Sequence, residues 1–183
     1  MSRVAEVERK TRETDIVVKV QLEGTGRSKV NIDDQFLRHM LESLAKYSSF
    51  DIEISGKGDN EHHLIEDVAI VLGSAVRKAI GEGPIERIAS ATVPMDDALV
   101  TVSLDLIDRP YVDVDCPDPL YHHFLRSFAM SSGMTLHVLV IRGFDDHHVV
   151  EASVKALGLA LRDATVPRRT LLSTKEKPRV RKR

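Results

Sequence analysis

Two short stretches hold the residues best suited to chemistry: EHHLIED from Glu61 and DDHHVVEA from Asp145. Each carries a histidine pair with a glutamate three residues on: His62, His63 and Glu66, then His147, His148 and Glu151. On a helix, His62 and Glu66 are spaced i,i+4 and His63 and Glu66 i,i+3, so one turn presents imidazole and carboxylate together to an ion. Adjacent histidines diverge by about 100° around a helix axis, which suits two different ions better than one.

The likeness between the stretches extends beyond the histidines. Leu72-Gly73, Ala75, Arg77 and Ala79 match Leu157-Gly158, Ala160, Arg162 and Ala164 at a constant offset of 85 residues, the mark of an internal repeat. Upstream, RHMLESLAKYSSFDIEI from Arg38 matches HHFLRSFAMSSGMTLHV from His122 at an offset of 84, and pairs His39 with His123. Each half therefore supplies three histidines and one glutamate: His39, His62, His63 and Glu66, then His123, His147, His148 and Glu151. Eight ligands divide into two sites of three imidazoles and one carboxylate. That donor set, without thiolate, suits Mn, Fe, Co, Ni or Zn rather than Mg or Ca. A six-coordinate ion with four protein ligands keeps two positions for substrate or water. His122 and His137 lie outside the pattern and read as ordinary surface or core residues.

Elements that would position these side chains follow from periodicity. Phe36, Met40, Leu41 and Leu44 recur at helical spacing, and Phe50, Ile52 and Ile54 alternate as in a half-buried strand. Leu64, Ile65, Val68, Val71, Leu72 and Ala75 mark a second helix closed near Gly81. The second half repeats the order, with a helix over 120–131, a strand over 134–141 and a helix over 149–164. Leading strands are expected over 15–22 and 29–32, with counterparts over 89–93 and 99–105 and an additional strand over 111–114. The fold class is α+β: two duplicated halves, each a mostly antiparallel sheet packed on two helices. The boundaries are 1–83 for the first repeat, 84–172 for the second and 173–183 for a terminal segment, the two repeats forming one compact domain.

Composition narrows the function classes. The chain has 183 residues, 42% of them apolar and 30% charged, and a formal net charge of −2. No apolar run approaches the ~20 residues of a membrane span, and the N-terminus MSRVAEVERKTRETD is charged, unlike a secretory signal. The single cysteine, Cys116, excludes an internal disulfide framework. These features point to a cytoplasmic protein that engages neither membrane nor nucleic acid. The basic end, Lys175 to Arg183, reads as a solvated tail.

Further motifs resemble those of the imidazoleglycerol-phosphate dehydratase family of histidine biosynthesis. They are R-x-T-x-E-T at Arg9–Thr14, H-M-L at His39, HHxxED at His62–Asp67 and P-M-D-D-A-L at Pro94–Leu99. R-P at Arg109-Pro110, H-F-x-R-S at His123–Ser127, G-M-T-L-H at Gly133–His137, HHxxEAxxKA at His147–Ala156 and Ser173-Thr174-Lys175 complete the set. The resemblance implies a lyase that dehydrates imidazole glycerol phosphate to imidazole acetol phosphate. It implies two Mn²⁺ ions per active site, bound between subunits by the eight positions above and holding the substrate ring as imidazolate, in a homo-oligomer, typically a 24-mer. It also implies Glu13 as acid–base group, with Arg87, Arg109, Lys155, Ser173, Thr174 and Lys175 contacting substrate. The sequence departs from the family pattern at Arg38, where an acid is usual, and at Tyr47, where a histidine is usual. The lead-in to His62 is about three residues shorter than usual, and Leu172 and Glu176 replace a proline and a glycine. All eight ligand positions survive, which reads as an active enzyme. The alternatives are a metal-dependent scaffold or inactive relative, and a dinuclear metal phosphohydrolase.

Overall fold

A computed structural model of the chain describes residues 2–172. The first half runs β1 (Val4–Lys10), β2 (Thr14–Gln21), β3 (Ser28–Asn31), α1 (Gln35–Ser48), β4 (Asp51–Gly58) and α2 (Glu61–Ile80). The second runs β5 (Ile88–Met95), β6 (Ala98–Asp105), β7 (Tyr111–Val114), α3 (Pro119–Ser132), β8 (Thr135–Arg142) and α4 (Asp146–Ala164). The sheets have the same topology, β1-β2-β4-β3 and β5-β6-β8-β7. In each, the third strand runs parallel to the fourth across a helical crossover while the other pairings are antiparallel. The α+β duplication read from the sequence is thus the architecture of the chain. No helix among the described residues is long and apolar enough to cross a membrane.

The expected strand correspondence shifts by one place. β1 pairs along its length with β2, so the partners of β1, β2 and β3 are β5, β6 and β7. β1 escapes the periodicity because it is an edge strand whose residues are mostly exposed, with Ala5 alone fully buried. Its sequence VAEVERK carries the charges that edge strands use against stray pairing.

The sheets cover the helices from opposite sides, with α2 beneath β1 and β2 and α4 beneath β5 and β6. Across the middle, α2 packs on α3 and α1 on α4, so each helix pair joins the two halves in one core. The repeated Leu-Gly step explains the closeness. A Cβ on Gly73 would lie 2.5 Å from the Phe128 carbonyl oxygen on α3, and one on Gly158 would lie 2.9 Å from Tyr47 Cβ on α1. Both helices need a residue without a side chain where they cross.

Candidate active site

The two HHxxE turns open α2 and α4, and both helices begin on a side-chain cap. Asn60 accepts the His63 N–H and Asp145 accepts the His147 N–H. Such caps satisfy amides that a first turn leaves without partners, and they fix where the following imidazoles point. The first histidine and the glutamate of each motif then share a face, one turn apart.

A histidine from the other half joins each face. His62 and Glu66 on α2 meet His123 on α3, with His123 Nε2 3.1 Å and His62 Nε2 3.8 Å from the Glu66 carboxylate. The two rings stack with centroids 5.1 Å apart. On the opposite helix pair, His39 of α1 and His147 of α4 place Nε2 3.5 and 3.6 Å from the two oxygens of Glu151. Phe36 packs on the His147 ring at 4.6 Å. Each cluster therefore takes its glutamate and one imidazole from one half and its second imidazole from the other.

The residues of the first cluster fit a divalent transition ion. The donor atoms of His62, Glu66 and His123 all lie within 4.8 Å of one another. His123 Nε2 is buried with no hydrogen-bond partner in suitable geometry among the described residues, as a ring nitrogen kept for a metal would be. The second cluster is looser, and its carboxylate is engaged: Lys155 Nζ sits 2.7 Å from Glu151 Oε1, 3.3 Å from Met95 Sδ and 5.6 Å from the centre of the Tyr47 ring. Burial disfavours charge on both partners, but their shared hydrogen bond and attraction prevail. They hold the Glu151 carboxyl below, and the Lys155 ammonium above, the ordinary range.

The remaining two histidines turn away from the clusters. His63 Nδ1 lies 2.8 Å from Asp59 and 3.8 Å from Glu13. His148 Nδ1 lies 2.5 Å from Asp97, whose other oxygen receives the Phe144 and Asp145 amides at 2.5 and 3.1 Å. The hydrogen bond to Asp59 raises the His63 pKa, and that to Asp97 raises the His148 pKa. The His148 hydrogen bond, followed by those two amides, holds the Asp97 carboxyl well below the carboxylate range. A carboxylate on Nδ1 orients an imidazole, the arrangement usual around metal-ligating histidines, and the other ring nitrogen of His148, Nε2, lies 3.4 Å from Asp96. Asp59 and Asp97 were not among the residues picked out by sequence. The signal was there in P-M-D-D-A-L and in the short Gly58-Asp59-Asn60 lead-in, but neither spacing says which histidine an aspartate will reach.

Of the other proposed substrate contacts, Arg87 and Arg109 fall elsewhere. Arg87, at positive φ just before β5, lies 2.7 Å from Asp105 and donates to the Leu172 carbonyl at 3.0 Å. Its backbone N–H meets the Ala164 carbonyl at the far end of α4 from His147. Arg109 is exposed beside the start of β8, where its carbonyl accepts the Thr135 hydroxyl. At ~1.5 Å per helical residue, the length of α4 separates the Arg87 backbone from His147 by about 25 Å. Of the proposed substrate contacts, only Lys155 touches a cluster among the described residues. Ser173, Thr174 and Lys175 lie outside the described residues. Arg38 donates to the Ile32 carbonyl and so ties α1 to the end of β3.

Comparison with known proteins agrees with the motifs. The sequence profile of imidazoleglycerol-phosphate dehydratase matches residues 33–161. The imidazoleglycerol-phosphate dehydratase of Acetivibrio thermocellus is 44% identical over 90% of this chain and 92% of its own length. That of Methanothermobacter thermautotrophicus is 45% identical over 85% and 87%. Among solved structures, the enzyme from Pyrococcus furiosus superposes with a TM-score of 0.81 at 36% identity, covering 92% of this chain and 98% of that one. The Staphylococcus aureus enzyme gives 0.79 at 27% identity, covering 90% and 99%. With fold, helix-start motifs and sequence in agreement, the chain belongs to the imidazoleglycerol-phosphate dehydratase family of hydro-lyases.

Proposed function

We propose that the chain dehydrates imidazole glycerol phosphate to imidazole acetol phosphate in histidine biosynthesis, in the cytoplasm, with two Mn²⁺ ions per site. The observation that carries this reading is the pair of matched His–His–Glu clusters, His62/Glu66/His123 and His39/His147/Glu151, on a chain of this family. The clusters leave their imidazoles partly open to the surface, with His39 and His147 about half exposed, so further ligands can approach. His63 and His148, turned outward and held by Asp59 and Asp97, are suited to complete a cluster on a neighbouring copy. When bound, the ions supply Lewis acidity toward the nitrogens of the substrate ring.

The reaction removes a hydroxyl from the carbon beside the ring and a proton from the next carbon, and the resulting enol becomes the ketone. Glu13 is the proposed acid–base group, and it stands beside His63 on the outward face. Arg87 and Arg109, with Ser173, Thr174 and Lys175, are the proposed phosphate contacts, for which guanidinium forks are apt. A substrate on the order of 10 Å long, at ~1.5 Å per bond, cannot bridge the roughly 25 Å between the Arg87 backbone and His147 of its own chain. That separation favours active sites shared between copies in a homo-oligomer, as the family resemblance implies.

Turnover tests the reading. Purified protein with Mn²⁺ is expected to convert imidazole glycerol phosphate to the acetol product, to stop with a chelator and to resume on adding metal. Absence of product from metal-loaded, assembled protein would overturn it.

A further inference from the structure

The aspartate that follows the first cluster glutamate, Asp67, has no equivalent in the second half, where Ala152 takes its place. Asp67 is buried, at 8% exposure, one residue along α2 from Glu66. Its carboxylate is occupied by the sheet. Arg9 Nε on β1 lies 3.0 Å from Oδ1, and the Thr14 hydroxyl on β2 donates to Oδ2. Arg9 and Thr14 flank the turn that carries Glu13, so one side chain pins both strands at that end to the helix bearing His62, His63 and Glu66.

Contacts continue from there to Glu13. Thr11 Oγ1 accepts the Thr14 N–H at 2.9 Å and the Glu13 N–H at 3.1 Å, and the Glu13 carbonyl accepts the Asp59 N–H at 2.9 Å. Both backbone groups of Glu13 are thereby fixed while its side chain stays 58% exposed. An exposed carboxylate on an edge-strand turn keeps a defined position only if its backbone is held from below. In the second half the corresponding turn is tied down differently, by Asp97 accepting the amides of Phe144 and Asp145. That tie leaves the position of Ala152 free to be apolar.

We infer that Asp67 is a positioning residue for Glu13. It acts through Arg9 and Thr14 on the turn, rather than through the adjacent Glu66 on the metal. The inference rests on the reading of Glu13 as acid–base group, and the R-x-T-x-E-T motif becomes a single device: two anchors, one turn lock and the group they position.

The test is a double-mutant cycle on kcat, with KM and bound metal measured alongside. Asp67→Asn keeps an acceptor for Thr14 but sets an amide against Arg9, and should lower kcat about 10–100-fold, the scale of a small misplacement of a reacting group. KM and metal content should stay within about twofold of the unaltered protein. Glu13→Gln should cost more, and adding Asp67→Asn to it should cause no further loss. Thr14→Val removes the hydroxyl from β2 without altering α2, and should reproduce the fall in kcat even if Asp67→Asn folds poorly. Losses that multiply in the double variant, loss of metal from Asp67→Asn, or full kcat in Thr14→Val would each overturn the positioning role. Glu13→Gln alone reads the underlying assignment: full activity there removes the acid–base role, and the positioning role with it.

Discussion

Asp97 is held at three points, by the Phe144 and Asp145 amides on one oxygen and by His148 on the other. A carboxylate so fixed cannot follow the imidazole if the ring swings, so the His148 ring is held in one orientation. Asp97→Ala is therefore expected to weaken metal binding about 10–100-fold, the usual range for losing an orienting partner. Titration of the apo-protein with Mn²⁺, followed by calorimetry, measures it, and unchanged affinity would show that the ring needs no such support. The helix-start motifs were legible because i,i+4 spacing puts His62 with Glu66, and His147 with Glu151, on one helix face. Their partners were not, since Asp97 and His148 are 51 positions apart, and Arg9 and Asp67 58. Only the folding of a strand turn over a helix start brings such pairs together.

Helix crossings set how closely the two halves of each cluster approach. Gly73 lets α2 lie against α3, and with it His62 and Glu66 against His123. Gly73→Ala would drive a methyl onto the Phe128 carbonyl, a backbone atom that cannot move aside alone. The expected cost is about 1–3 kcal/mol in a urea melt, in line with overpacking elsewhere, together with weaker metal binding as the helices part. The repeated Leu-Gly step was visible in the sequence as a match between halves, but its purpose was not, because a glycine inside a helix does not say which neighbour approaches it. The strands show the complementary limit. Those with one buried face, such as β2 and β6, alternate clearly and were legible, whereas β1 is an edge strand with little to bury and leaves almost no period.

At the scale of the whole molecule, α4 acts as a spacer with a cluster at its start and Arg87 beyond its end. Arg109 lies on the Arg87 side, beside the start of β8, whose other end pairs near the Asp97 turn. Sites shared between copies, as proposed, predict complementation between defective copies. Arg109→Ala and His147→Ala, each nearly inactive alone, should recover on the order of a quarter of full turnover when co-assembled in equal amounts, the statistical share of two-copy sites with both contributors intact. No recovery would place the whole site within one chain. The way each cluster mixes the halves has a bearing on ancestry as well. Both repeats contribute one helix-start motif and one lone histidine, and neither closes a cluster by itself. A half-length ancestor pairing with itself would have built both clusters at once, as a symmetric homodimer. Fusion of two such genes would then have let the copies diverge, one keeping an aspartate under its turn and the other an alanine.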